Sequence, residues 1–269
     1  MRDRFSLIGH EAMALMNPLA EDELLALLGS ADLGPGEHVL DLGGGRADLA
    51  RICVERFRCT ATSVDRSPAA CEAARDRTHG LGVDVVCQDA QVFLDGKDAG
   101  TAGLAAALGA LHAFGSGLPG WTSALEALRP RARHVLVGDL VAIGPRAAAE
   151  MDVATMAQIT PLLSGARKRV VLPPARVLAY ERAWCDAVES FLRAHPGDPR
   201  SAWAEERIAW SRAPAREAAW RELAFVAMMV PGEPSAHEER VAPVAGGRVE
   251  PRASARDEGD ALVHERDDR

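Results

Sequence analysis

Between Val39 and Ala50 the chain reads as a short apolar strand, three consecutive glycines, and the start of a helix. That order leaves few folds open. The strand must end in a turn tight enough that side chains are excluded, and Gly43, Gly44 and Gly45 let the backbone approach a ligand with no Cβ in the way. The following helix turns its first N–H groups and the positive end of its dipole toward the same spot. Asp41, at the strand end, sets the sign of what can bind there: it repels anions and attracts a cation such as an ammonium group. A nucleotide-like ligand bearing an amine therefore fits better than a pyrophosphate.

The rest of the chain repeats the strand–helix rhythm. Strands are expected over 37–42, 60–64, 83–87, 104–108 and 134–139, separated by helices over 47–56, 68–78 and 121–128. Ser67 as N-cap and Pro68 at the first helical position mark one helix start. Helices of this length between strands predict an α/β fold: a doubly wound, mostly parallel, seven-stranded sheet with helices on both faces. Two N-terminal helices precede it, the first carrying Phe5, Ile8, Ala12, Leu15 and Met16 at helical spacing up to Asn17-Pro18. Beyond Asp139 a helix is expected over 146–159, then a strand over 170–178 interrupted by Pro173-Pro174, helices over 181–194 and 201–211, and a last strand over 224–230. The expected organisation is a helical cap over 1–30, a cofactor-binding core over 31–180, a helical lid inserted over 181–220, the last core strand over 221–230 and a disordered tail over 231–269. The tail is read as disordered because it holds six Arg and ten Asp/Glu among few apolar residues. Four of the five tryptophans (Trp184, Trp203, Trp210 and Trp220) fall in the lid, where they either pack it onto the core or face a ligand.

Composition narrows the function. The net charge of −8 argues against nucleic acid as a partner, and no apolar run is long enough for a membrane span. The N-terminal stretch is not a secretory signal. Five cysteines without a CxxC pair read as reduced, mostly buried thiols of a cytoplasmic protein, with no metal site implied. Cys87 is read as core. A small molecule is the expected partner; the oligomeric state is left open, a homodimer included.

A doubly wound sheet binds ligands at the carboxyl ends of its strands. The residues found there are Asp41 after the first strand, Asp65 (followed by Arg66) after the second, Asp89 and Ala90 after the third, His112 after the fourth and Asp139 after the fifth. Asp65 can accept both hydroxyls of a ribose, and Asp89 an exocyclic amine of a base. Taken singly, each acid is equally a helix cap or a solvated loop residue; taken together they describe a site.

This pattern resembles the class I S-adenosylmethionine-dependent methyltransferases. Their acid-x-Gly-x-Gly-x-Gly motif is matched by Asp41, Gly43 and Gly45, with Ala47 in the third glycine position. The segment Ala107–Gly115, with its Gly-x-x-His-Ala-Phe-Gly, looks like a bacterial small-molecule subgroup, as do Asn17-Pro18-Leu19 and the 195–199 loop. The resemblance implies that Asp41 and the glycine backbone hold the methionine part of the cofactor, Asp65 with Arg66 the ribose and Asp89-Ala90 the adenine, with His10 and Asn17 covering it. It implies methyl transfer to a small-molecule N or O nucleophile with S-adenosylhomocysteine as the second product. His112 is the candidate general base, because its free pKa lies near neutrality; Asp139 would orient it or meet the substrate. A non-catalytic accessory protein that binds the same cofactor is the second reading. A nicotinamide-dependent oxidoreductase is the remote one, since its Gly-x-Gly-x-x-Gly fingerprint would need glycine where Asp48 stands.

Overall fold

A computed structural model describes residues 2–96, 101–199 and 201–233. Two short helices come first, α1 (Arg2–His10) and α2 (Glu21–Leu28). The sheet is then wound by β1 (His38–Leu42), α3 (Asp48–Phe57), β2 (Thr60–Asp65), α4 (Pro68–Arg77), β3 (Val83–Cys87), α5 (Ala90–Asp95), β4 (Ala102–Leu108), α6 (Gly117–Leu128) and β5 (Ala132–Ala142). The second half adds α7 (Pro145–Glu150), β6 (Ala154–Thr155), α8 (Met156–Leu163), β7 (Lys168–Leu172), α9 (Pro174–Ala194), α10 (Ser201–Arg212), α11 (Pro214–Trp220) and β8 (Leu223–Pro231).

The strands lie in the order β3-β2-β1-β4-β5-β8-β7, with the two-residue β6 attached to β5. The first five are parallel, and β8 runs antiparallel between β5 and β7. This is the doubly wound, mostly parallel sheet expected from the sequence. Its order reverses between β1 and β4, and that switch point opens a crevice at the strands' carboxyl ends. Alternate residues of the central strands feed two cores. Leu104, Leu136, Phe225 and Met229 pack with α2, α3 and α9 on one face; Ala105, Val135, Val137 and Val226 pack with α5, α6 and α8 on the other. A separate cluster of Trp184, Cys185, Val188, Ala204 and Ile208 joins α9 to α10.

Several expectations are corrected. The helix expected over 146–159 is two helices with β6 between them: Thr155 and Gln158 form a capping box that starts α8 afresh. The strand expected to continue to residue 178 stops at Leu172, and Pro174 opens α9, whose buried face includes Val177 and Leu178. Proline supplies no N–H to a sheet ladder but is suited to a helix's first position. The first helix ends at His10, with turns beyond it. Cys87 is exposed at the end of the edge strand β3, while the other four cysteines are buried. The expected tail over 231–269 lies, from residue 234 on, outside the described residues.

Candidate functional site

The turn after β1 is built around Asp41. Gly43 and Gly45 adopt φ of 69° and 58°, the left-handed region that favours glycine. A Cβ on Gly44 would overlap Ser63 Oγ and lie 2.8 Å from Asp41 Oδ2, so the backbone sits directly on the carboxylate. Helix α3 has Ala47 at its N-cap and hence no side-chain acceptor of its own. Asp41 supplies one, accepting from the Ala50 N–H, while its Oδ2 is buried and makes no hydrogen bond among the described residues. Burial pushes the Asp41 carboxyl up to about 7, helped by the negative Asp48 and Asp65 nearby and opposed by the Ala50 N–H. A buried carboxylate with an unmet oxygen and a raised pKa is what a site for a cation looks like before the cation arrives.

Asp65 stands across the turn. Its Oδ2 accepts from Gly45 N at 2.9 Å and its Oδ1 from Ser67 N at 2.8 Å, so it fastens the glycine turn to the start of α4. Asp89 caps α5: its Oδ1 accepts from Gln91 N at 2.9 Å and Val92 N at 3.3 Å. The capping role weighed from sequence is therefore present, and both bonds fall on one oxygen. Asn17 Oδ1 accepts from Leu19 N at 3.1 Å in the turn that follows α1.

His112 projects from a single 3-10 turn over Leu111–Ala113 and is exposed. Asp139 is half-buried, and its carboxylate does not meet the ring in a hydrogen bond. It accepts instead from the backbone N–H groups of Leu111, at 3.2 Å, and Leu140, at 2.8 Å. Burial raises its pKa, and those N–H groups together with the nearby His112 ring work against the rise.

One cavity of about 520 Å³ gathers these parts, within the range of about 300–1,000 Å³ usual for small-molecule sites. Asp41, Gly43, Gly44, Gly45, Asp65, Arg66, Asp89, Ala90, Asn17 and His112 line it; Asp139 does not, although its neighbour Leu140 does. Arg66 is exposed at the rim.

The opposite wall joins residues the sequence had pointed to, His10 and the tryptophans Trp184, Trp203 and Trp220, with three it had not, Tyr180, Glu181 and Arg207. His10 Nε2 lies 2.5 Å from the Tyr180 hydroxyl, and His10 Nδ1 lies 2.6 Å from the Ser6 carbonyl. The ring therefore donates at Nδ1 and accepts the tyrosine O–H at Nε2. Burial holds His10 at a pKa of about 4, so it is neutral at pH 7. Tyr180, Glu181 and Trp184 from α9, Trp203 and Arg207 from α10, and Trp220 from α11 complete the wall. A signal for two of these was present in the sequence. The buried stripe of α9 is Val177, Leu178, Glu181, Trp184, Cys185 and Val188, with a glutamate in its middle. On α10, Arg207 stands beside the buried Ile208. Opposite charges in apolar stripes are paired or functional.

Beneath the glycine turn runs a buried network. Arg46 pairs with Asp48 at 2.8 Å and donates to the carbonyls of His10 and Met13 at 2.7 Å each; Arg77 holds the other Asp48 oxygen at 2.9 Å. The turn is thereby tied to the carboxyl end of α1.

Residues 39–131 match the family model described as a methyltransferase domain. A search of curated proteins finds no match in sequence. Among solved structures, YjhP from E. coli is similar with a TM-score of 0.69 and 20% identity, covering 86% of this chain and 100% of that one. A SAM-dependent methyltransferase from Geobacter sulfurreducens, in complex with S-adenosyl-L-homocysteine, gives 0.68 and 23%, with 86% and 98% covered. Another from Thiobacillus denitrificans, with the same ligand, gives 0.68 and 21%, again with 86% and 98% covered. At these identities the likeness establishes the shared fold.

Proposed function

We propose that this chain, whose residues 39–131 match a methyltransferase domain, is an S-adenosylmethionine-dependent enzyme that methylates a small molecule. The observation that carries the reading is Asp41: a buried carboxylate oxygen with no partner, beneath a turn that a Cβ at Gly44 would fill. An amino-acid nucleoside brings the ammonium that such a site lacks, whereas a diphosphate would bring the wrong charge. The residues fit the cofactor. Asp41 and the Gly43–Gly45 backbone would hold its amino-acid end. Asp65, whose oxygens each keep a lone pair beyond the Gly45 and Ser67 bonds, would take the ribose hydroxyls with Arg66 beside it. Asp89, with its Oδ2 not used in capping, would take the base against Ala90, and Asn17 would cover the site.

When bound, the cofactor supplies an electrophilic methyl group on a sulfonium, which reacts by in-line displacement. The chain's own work is alignment, exclusion of water and removal of a proton. His112 is the proposed base for an N or O nucleophile, being accessible in the cleft at the end of β4. Asp139 is a positioning residue: through the Leu111 N–H it fixes the turn that carries His112. α1, α9, α10 and α11 act as the cover. The Gly-x-x-His-Ala-Phe-Gly segment remains our reason for favouring a bacterial small-molecule subgroup.

Calorimetry with S-adenosylhomocysteine tests the cofactor, and incubation of S-adenosylmethionine with a metabolite panel, scored as S-adenosylhomocysteine formed, tests the chemistry. Saturable binding and acceptor-dependent turnover are expected. His112→Ala should lower turnover by about 10²-fold or more with cofactor affinity kept. Binding without turnover on any acceptor would favour the accessory-protein reading; no binding would end both.

A further inference from the structure

One part of the cleft wall is built where α9, α10 and α11 meet. There the Arg207 guanidinium sits over two indoles, its carbon 4.9 Å from the ring centre of Trp184 and 4.9 Å from that of Trp210. Its Nη1 is 2.8 Å from Glu181 Oε1, close as a charge contact though not aligned as a hydrogen bond. Glu181 is held in turn by the Ser211 hydroxyl, which donates to the same oxygen at 2.5 Å. Both line the cavity, and Arg207 is the more exposed of the pair, with 27% of its side chain exposed against 9% for Glu181. A guanidinium has five N–H donors, and here none is spent in a hydrogen bond among the described residues. Trp220 lines the same cavity with a second unspent donor: the residue is 5% exposed, and its indole N–H is buried with no partner among the described residues. Buried donors without acceptors are costly unless a ligand completes them.

We infer that this part of the cleft is the acceptor subsite, and that Arg207 anchors an oxyanion, carboxylate or phosphate, on an acceptor whose planar apolar body lies against Trp184, Trp203 and Trp220. The inference rests on the methyl-transfer reading, which gives the glycine-turn side of the cleft to the cofactor. Two donors and aromatic walls select an anion with a flat hydrophobic body; the Glu181 charge is already matched by Arg207 and serves to hold it. A guanidinium held between two rings keeps little of its side-chain freedom, which favours a bidentate bond to one oxyanion.

The test uses the full chain saturated with S-adenosylhomocysteine and titrated with benzoate, indole-3-acetate and phenyl phosphate, against benzamide, indole-3-acetamide and benzylamine. The acids should bind about 10-fold or more tighter than the amides, the fold-change of a charge-assisted hydrogen bond. Arg207→Gln should erase that preference while S-adenosylhomocysteine affinity stays within about twofold, because Arg207 is not among the residues assigned to the cofactor. Arg207→Gln combined with Glu181→Gln leaves no lone buried charge and should erase it equally, which covers the case in which the single variant does not fold. Phenyl phosphate binding above benzoate would name phosphate as the source of the oxyanion, and the reverse would name carboxylate. Equal binding of acids and amides, tighter binding of benzylamine, or a preference that survives both variants would overturn the inference while leaving the cofactor reading intact. Loss of the cofactor reading would show separately, as no binding of S-adenosylhomocysteine before any acid is added.

Discussion

Asp65 holds two backbone N–H groups before any ligand is considered, so its replacement removes more than a contact. Asp65→Ala takes away the proposed ribose acceptor and also frees the N–H groups of Gly45 and Ser67. S-adenosylhomocysteine affinity should fall by about 1–3 kcal/mol, measured by calorimetry. Asp65→Asn keeps one carbonyl oxygen and should fall less; an affinity unchanged in both variants would remove Asp65 from the site. Asp41 makes a different prediction. With its carboxyl near 7 in the free protein, an incoming ammonium would favour the charged form and expel a proton. Binding heats at pH 6 should therefore depend on the ionisation enthalpy of the buffer, and Asp41→Asn should abolish that dependence. The acids were legible in the sequence because a parallel strand delivers its last residue to one edge of the sheet. Glu181 and Arg207 were not, because their meeting depends on how two helices cross, which no local pattern records. What the sequence did carry was the anomaly of a charge in each apolar stripe. Asp139 shows the opposite limit: its position was readable, but its bond to a backbone N–H rather than to the His112 ring was not.

At the scale of elements, α1 connects the two walls of the cleft. Its carboxyl end is held by Arg46 from the glycine turn, and its Gly9 lies so close to the Trp184 ring of α9 that a Cβ there would overlap it. His10 adds the bond to Tyr180. Helix carbonyls at a carboxyl terminus carry partial negative charge, so a guanidinium there is favourable. Arg46→Met should leave Asp48 buried with only Arg77 and cost about 3–5 kcal/mol of stability, the usual penalty for breaking a buried pair. It should also speed amide hydrogen exchange over residues 6–19 more than in the β4 and β5 strands. Uniform acceleration would mean that Arg46 stabilises the whole fold and does not latch this element. The elements themselves were readable to within a few residues where a strand and helix alternate. They were misread where proline changes sides, at Pro173-Pro174, and where a capping box restarts a helix inside an apolar stretch, at Thr155. Both errors came from weighing apolar content above the chemistry of the first turn.

The whole molecule carries two buried groups whose protons oppose each other. Asp41 is raised from 3.8 to about 7, so the folded state holds a proton that the unfolded chain has released; this contribution is present at low pH and is lost as pH rises from about 4 to about 7. His10 is lowered from 6.5 to about 4, so the folded state lacks a proton that the unfolded chain holds; its contribution is present above 6.5 and is lost as pH falls toward 4. Over the shared window these two slopes have opposite signs and offset each other. Denaturation by urea across pH 4–8 should expose each one separately. Asp41→Asn should gain on the wild type as pH rises to about 7, because only the wild type loses the Asp41 contribution. His10→Gln, which can still accept the Tyr180 hydroxyl, should lose on the wild type over the same rise. Saturating S-adenosylhomocysteine should act like Asp41→Asn in removing the falling slope, since an ammonium beside the carboxylate would let it ionise at lower pH. A ligand that stabilises the protein equally at pH 5 and pH 7 would show that Asp41 does not meet its charge. The assignment of the amino-acid end of the cofactor to the glycine turn would then fail, even if the ligand bound elsewhere in the cleft.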